Sequence, residues 1–186
     1  WRELRQRLDP TDRQCFAFFH PVMENEPIIF VEVAFMKEIP KKIKSVLDIN
    51  ENQIEPIKAN TAVFYSISNC QTGLQGISFG NFLIKSVVEN IKKELPNISN
   101  FVTLSPVPGL RIWLKKYHED FDQKIQRDPG SLFSKENHKI FRSLLSDYFL
   151  ISKRKDNKPN DPVSRFHLGN GASLYQINLK GDESQK

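Results

Sequence analysis

Two short segments of the chain each hold one side chain that can take part in proton transfer or nucleophilic chemistry. The first, Thr-Leu-Ser-Pro-Val-Pro-Gly at 103–109, contains Ser105. The second, Arg-Phe-His-Leu-Gly-Asn-Gly at 165–171, contains His167. Because prolines fix φ and glycines permit turns, we expect both side chains to lie in stiff turns. A serine and a histidine held this way, far apart in sequence, indicate a site that the fold assembles.

Ser105 and His167 could form a nucleophile and a general base, but the sequence around the serine argues against an acyl-enzyme. Nucleophilic serines of many hydrolases lie in Gly-x-Ser-x-Gly turns, whereas Ser105 lies in Leu-Ser-Pro. Pro106 also lacks the backbone N–H that would donate to an oxyanion there. The structural alternatives are a turn serine and a hydrogen-bonded structural histidine. Because no pair of His, Cys or carboxylate residues has metal-ligand spacing, the sequence predicts no metal site.

A second candidate site is the loop Gln-Thr-Gly-Leu-Gln-Gly-Ile-Ser-Phe-Gly at 71–80, between a predicted strand and a predicted helix. Such a loop presents backbone N–H groups at the positive end of a helix dipole, which favours a phosphate. Neither the Walker A motif nor the dinucleotide-binding fingerprint fits its spacing. A plain structural turn is the alternative.

Strands and helices alternate along the chain and would position these segments. Glu32 interrupts an almost continuously apolar strand, a pattern typical of a strand that is buried on both faces. The charged stretch 153–162 is predicted to be a mobile loop. In 1–8 the apolar residues recur at helical spacing. The mixed order of elements predicts an α/β or α+β fold. The predicted strands lie at 15–19, 27–35, 61–68, 101–104 and 174–179, and the predicted helices at 39–46, 80–95, 110–121 and 140–150.

The composition predicts a single domain over 1–186, since 186 residues with 39% hydrophobic content can form one core. The 27 Lys and Arg residues exceed the 22 Asp and Glu residues by five. This positive charge could bind a polyanion such as nucleic acid, anionic lipid or a polyphosphate. The alternative is a solvated surface with no such partner. Two cysteines indicate a reducing compartment, and the cytoplasm is expected. No apolar run approaches the roughly 20 residues of a membrane span. The start at Trp1 suggests a piece of a longer protein.

The segment Gln-Gly-Ile-Ser-Phe-Gly at 75–80 resembles the pyrophosphate loop of GNAT-type acyltransferases, whose pattern is Arg/Gln-x-x-Gly-x-Gly/Ala. Gln75 and Gly80 match this pattern, and Ser78 stands where the middle glycine is usual. The resemblance implies that this loop binds the pyrophosphate of coenzyme A. The residues implied in binding are Gln75, Gly76, Ile77, Ser78, Phe79, Gly80 and Asn81.

Six segments, in the family's order, resemble the catalytic domain of malonyl-CoA decarboxylases. Their residues are similar to those of the bacterial branch. The resemblance implies a GNAT-like fold with a mixed, largely antiparallel sheet flanked by helices. It also implies that Ser105 of Leu-Ser-Pro and His167 of Phe-His-Leu are the catalytic residues. Eukaryotic members have a glutamate at the position of Ser78, so the role of that glutamate is not transferred. The segments lie at 12–21, 26–34, 61–68, 71–85, 103–109 and 166–172.

The resemblance further implies a lyase of fatty acid metabolism that converts malonyl-CoA to acetyl-CoA and CO2. The thioester of this substrate delocalises the charge left by CO2, so no metal, biotin or pyridoxal phosphate is expected. Ser105 is expected to bind the carboxylate or the oxyanion, and His167 to donate a proton or polarise the carbonyl. The full-length protein is expected to be a homo-oligomer, cytoplasmic, or mitochondrial or peroxisomal in a eukaryote.

Two other functions compete with this interpretation. A GNAT acyltransferase would share the coenzyme A loop but would transfer its acyl group to an amine, and it would not need His167. A non-catalytic basic module that binds nucleic acid is supported by charge alone, because no aromatic RNA-binding signature or zinc-finger spacing is present. Neither nucleic acid nor a membrane is therefore expected among the partners.

Overall fold

The computed structural model of the protein describes residues 10–23, 25–48, 53–74 and 80–183. The chain divides into two compact units. Unit 1 contains Trp1–Leu104 and Gln176–Lys186, and unit 2 contains Ser105–Tyr175. The single domain over 1–186 stays a prediction.

Unit 1 is built on a four-stranded sheet in the order β1-β2-β3-β4. The strands β1 and β2 pair antiparallel, as do β2 and β3, whereas β3 and β4 are parallel. This mixed, largely antiparallel sheet with its helices confirms the predicted α/β fold class. The strands are β1 (Arg13–Phe19), β2 (Pro27–Met36), β3 (Thr61–Asn69) and β4 (Asn100–Thr103).

The second strand, β2, is the buried strand that its apolar sequence predicts. Glu32 is only 1% exposed within it, opposite Cys15 on one side and Ser66 on the other. The pairing of β2 with β3 shifts between Glu32 and Val33, which is the sign of a β-bulge. A carboxyl group therefore lies within the sheet rather than at its edge.

Helices cover both faces of this sheet. The helix α2 (Gly80–Glu94) carries apolar residues at intervals of four, and Leu83, Val87 and Ile91 pack in the main core with alternate residues of β2 and β3. The intervening residues face the other way. There Ala34 and Val63 form a smaller cluster with Val46 of the short helix α1 (Lys44–Leu47).

Unit 2 is helical. Besides its α-helices it contains a 3-10 segment at Pro129–Phe133 and a π-helical turn at Asp147–Ile151. No described helix of the protein is both long enough and apolar enough to cross a membrane. The helices are α3 (Leu110–Tyr117), α4 (Glu119–Arg127), α5 (Lys135–Ser146) and α6 (Pro162–Gly169).

Several predicted elements are wrong in unit 2 and near its end. The predicted helix over 110–121 is two helices, because the backbone of His118 leaves the helical region at φ −143° and ψ 51°. The helix predicted to begin at 140 begins at 135, since Ser134 caps it by accepting from the Asn137 N–H at 3.3 Å. No strand forms over 174–179, where the weak alternation lies in a largely exposed segment. The predicted helical segment 1–8 lies outside the described residues.

Candidate active site

Ser105 lies in the proline-rich segment between β4 and α3, which has no regular secondary structure until Pro108 and Gly109 form a turn. The turn ends at Gly109, whose backbone is near-helical at φ −80° and ψ −16° and precedes the first residue of α3. Gly109 is therefore not needed for a left-handed conformation. It is needed for space, because a Cβ there would overlap the hydroxyl of Tyr148 and lie 3.2 Å from Oδ2 of Asp161. The Ser105 side chain is exposed to solvent.

His167 lies on α6 and not in a turn, so that part of the sequence prediction is wrong. The helix begins with an aspartate cap followed by proline at its first position, and the Asp161 carboxylate accepts from the Ser164 N–H at 2.8 Å. His167 belongs to the last turn and is half-buried. The ring of Phe166 meets the imidazole edge to face, with 5.0 Å between the ring centres.

The structure brings Ser105 and His167 into contact, as the sequence predicted. Oγ of Ser105 lies 3.1 Å from Nε2 of His167. Burial lowers the pKa of His167 below its usual value, which favours the neutral imidazole at pH 7. Depending on its tautomer, neutral Nε2 either accepts the hydroxyl hydrogen or donates to Oγ. Such a pair can orient a hydroxyl toward developing negative charge and can move a proton.

The sequence interpretation missed Asp161, which accepts from backbone N–H groups of Gly109 and Ser164, and Tyr148, which bonds to Asp161. The predicted charged loop 153–162 includes Asp161, although Asp-Pro before an apolar run is a recognisable helix start. The loop itself contains a bridge between Lys153 and Pro159 and a hydrogen bond from the Arg154 N–H to the Lys158 carbonyl at 2.9 Å. Its predicted mobility stays a prediction.

The whole chain, residues 1–186, matches the family model described as malonyl-CoA decarboxylase C-terminal domain. The chain belongs to this family. The sequence resemblance to malonyl-CoA decarboxylases is thereby confirmed.

Named malonyl-CoA decarboxylases match along the whole chain. The mitochondrial enzymes of Anser anser anser and Rattus norvegicus are 31% and 30% identical, with alignments covering 100% of this chain and 44% of each relative. The crystal structure of the Agrobacterium vitis enzyme is 47% identical with a TM-score of 0.87, covering 99% of this chain and 49% of that one. The crystal structure of the Rhodopseudomonas palustris enzyme is 48% identical with a TM-score of 0.82, covering 99% of this chain and 46% of that one. The chain spans about half the length of the malonyl-CoA decarboxylases it matches.

The predicted coenzyme A loop of this malonyl-CoA decarboxylase domain remains a prediction. Gln75, Gly76, Ile77, Ser78 and Phe79 lie outside the described residues. Gly80 is the first residue of α2 and Asn81 the second, so the helix begins at the residue that the sequence predicted. Within the described ranges, no group of three or more His, Cys, Asp or Glu residues is placed to hold a metal ion.

Proposed function

We propose that the protein containing this chain decarboxylates malonyl-CoA to acetyl-CoA and CO2, and that Ser105 and His167 are its catalytic residues. The observation that carries the proposal is the 3.1 Å contact between Oγ and Nε2 in a chain of this family. Because the chain spans only about half of its relatives, the activity is proposed for the full-length protein.

Decarboxylation requires the protein to supply hydrogen bonds to the substrate and one proton to the α-carbon. The bond between the malonyl carboxylate and the α-carbon breaks, CO2 leaves, and the electron pair is delocalised over the thioester as an enolate. The α-carbon then takes one proton, which solvent replaces through the Ser105–His167 pair. A hydroxyl and a neutral imidazole near the thioester would stabilise the enolate oxygen and deliver this proton. The division of these two tasks between Oγ and Nε2 is left open.

No metal or organic cofactor enters the proposal. The carbonyl of the substrate's own thioester accepts the electron pair, so the substrate supplies the electron sink that a cofactor would otherwise provide. Coenzyme A is then part of the substrate. We propose further that the full-length protein is a homo-oligomer whose partners are malonyl-CoA and acetyl-CoA, and that it is cytoplasmic, or mitochondrial or peroxisomal in a eukaryote.

The coenzyme A end of the substrate is proposed to bind at the start of α2, with its pyrophosphate over 75–80. The helix beginning at Gly80 is 15 residues long, and its first N–H groups have no carbonyl partner within the helix. Together with the helix dipole these groups favour an anion. The support is this helix start and the partial match to the GNAT loop pattern.

The test is product analysis with purified full-length protein, malonyl-CoA as the only acyl donor, and no amine. The proposal expects acetyl-CoA and CO2 in equal amounts. Release of free coenzyme A without CO2, or turnover only when an amine acceptor is added, would overturn it. The second outcome would favour the acyltransferase interpretation.

A further inference from the structure

The carboxyl group of Asp161 joins the two backbone segments that carry Ser105 and His167. It is 1% exposed. Its Oδ1 accepts from the Ser164 N–H at 2.8 Å, and its Oδ2 accepts from the Gly109 N–H at 3.1 Å. A buried carboxylate is unfavourable unless hydrogen bonds replace its water, and these N–H groups supply that replacement.

Each donor belongs to a segment that holds one member of the pair. Ser164 is in the first turn of α6, three residues before His167. Gly109 ends the segment that begins with Ser105 and leads into α3, and two of the three residues between them are prolines with restricted φ. One side chain therefore fixes the start of the histidine's helix and the end of the serine's segment.

Further contacts hold this carboxyl in place. The Tyr148 hydroxyl donates to Oδ2 of Asp161 at 3.4 Å. Burial raises the pKa of Tyr148, with a further contribution from Asp161, so the phenol keeps the hydrogen that it donates. The Arg165 guanidinium donates to the carbonyls of Pro159 at 2.7 Å and Asn160 at 3.1 Å, which fixes the chain just before Asp161.

We propose that Asp161 is a positioning residue that sets the separation between Oγ of Ser105 and Nε2 of His167. The inference rests on the proposed function for its effect on turnover. Because a misplacement of about 1 Å can cost on the order of 10²-fold in rate, the expected effect is on kcat, with KM unchanged.

Two substitutions of Asp161 remove different numbers of the hydrogen-bond acceptors that bind Gly109 and Ser164. Asp161→Ala removes both acceptors, and kcat is expected to fall by about 10-fold or more with KM within about 2-fold. Asp161→Asn keeps one acceptor oxygen, and Asn caps helices as well as Asp does, so a smaller loss of kcat is expected. The matched control is Ser134→Ala, which removes the cap of α5 in the same unit, and whose kcat should stay within about 2-fold of wild type.

A readout independent of turnover is the pKa of the His167 imidazole, measured by NMR titration. In an otherwise wild-type protein, Ser105→Ala should change this pKa because it removes the hydrogen-bond partner at Nε2. In the Asp161→Ala protein the same Ser105→Ala change should have a smaller effect, since the two groups are already apart. If Asp161→Ala does not fold, Asp161→Asn takes its place, and the effect of Ser105→Ala on the His167 pKa is again expected to be smaller than in the otherwise wild-type protein.

The positioning role is overturned if the folded Asp161 variants keep wild-type kcat, or if Ser105→Ala shifts the His167 pKa equally in both backgrounds. A loss of kcat matched by Ser134→Ala would show a general effect of helix capping and would also overturn it. If wild-type protein releases no CO2 from malonyl-CoA, the proposed function fails, and the titration still decides the role of Asp161.

Discussion

Oγ of Ser105 and Nε2 of His167 lie 3.1 Å apart, although the two residues are 62 positions apart in the chain. Both belong to unit 2, so the contact is formed within one compact part of the protein. The serine is exposed and the histidine is half-buried next to an aromatic ring. The pair is therefore a preformed, accessible hydroxyl–imidazole unit.

Replacing His167 by asparagine should lower kcat for malonyl-CoA by about 10²-fold or more, because it removes the imidazole that we propose exchanges a proton with Ser105. KM should change little if the imidazole acts in the reaction and not in ground-state binding. The measurement is CO2 release by full-length protein over a range of substrate concentrations. The control is His138→Asn on α5, which should keep wild-type kcat. Equal losses in both variants would contradict the assignment.

Acid should destabilise the protein through His167. Since burial lowers the pKa of His167 in the folded state, the unfolded chain takes up a proton at a higher pH than the folded chain does. Stability is therefore lost as the pH falls below about 6.5, the ordinary histidine value, and is regained as it rises. His167→Asn should reduce the difference in urea midpoint between pH 7.5 and pH 5.5. An unchanged difference in the His167 variant would count against the burial argument.

Local patterns predicted the sheet of unit 1, and the two motifs with the family resemblance predicted that Ser105 and His167 share a site, but neither predicted the residues around that contact. The apolar run around Glu32 identified β2, and the apolar spacing after Gly80 identified α2. The hydrogen bond between Gly109 and Asp161 joins residues that are 52 positions apart, and no local sequence pattern relates residues at that separation. The break at His118 is accompanied by a contact with Trp113 of the preceding helix, with 4.8 Å between the ring centres.

Gly109→Ala should destabilise the folded protein by about 1–3 kcal/mol, the usual cost of overpacking, because the added Cβ overlaps the Tyr148 hydroxyl. Gly169→Ala is the matched control, since a Cβ there meets nothing within 4 Å. Adding Tyr148→Phe to Gly109→Ala removes the overlapping oxygen and should recover part of the lost stability. Thermal unfolding of the four proteins is the measurement. Equal effects at the two glycines, or no recovery in the double variant, would refute the close packing at Gly109.

Gly80→Asp should weaken the binding of coenzyme A by about 10-fold or more, because it places a carboxylate where the pyrophosphate is proposed to lie. Asn90→Asp is the control, since it adds the same charge at an exposed position further along the same helix. Calorimetric titration of coenzyme A into each folded protein is the measurement. An affinity of the Gly80 variant equal to that of the control would remove the loop from the proposed site.

The most direct test of the Ser105–His167 pair is a double-mutant cycle on the turnover of malonyl-CoA by full-length protein. The assay follows CO2 and acetyl-CoA for wild type, Ser105→Ala, His167→Asn and the double variant, each checked for cooperative unfolding. If the two residues act as one unit, each single substitution lowers kcat strongly. The kcat of the double variant is then only slightly below that of the less active single variant. Wild-type turnover in both single variants, or losses that simply multiply in the double variant, would contradict the account.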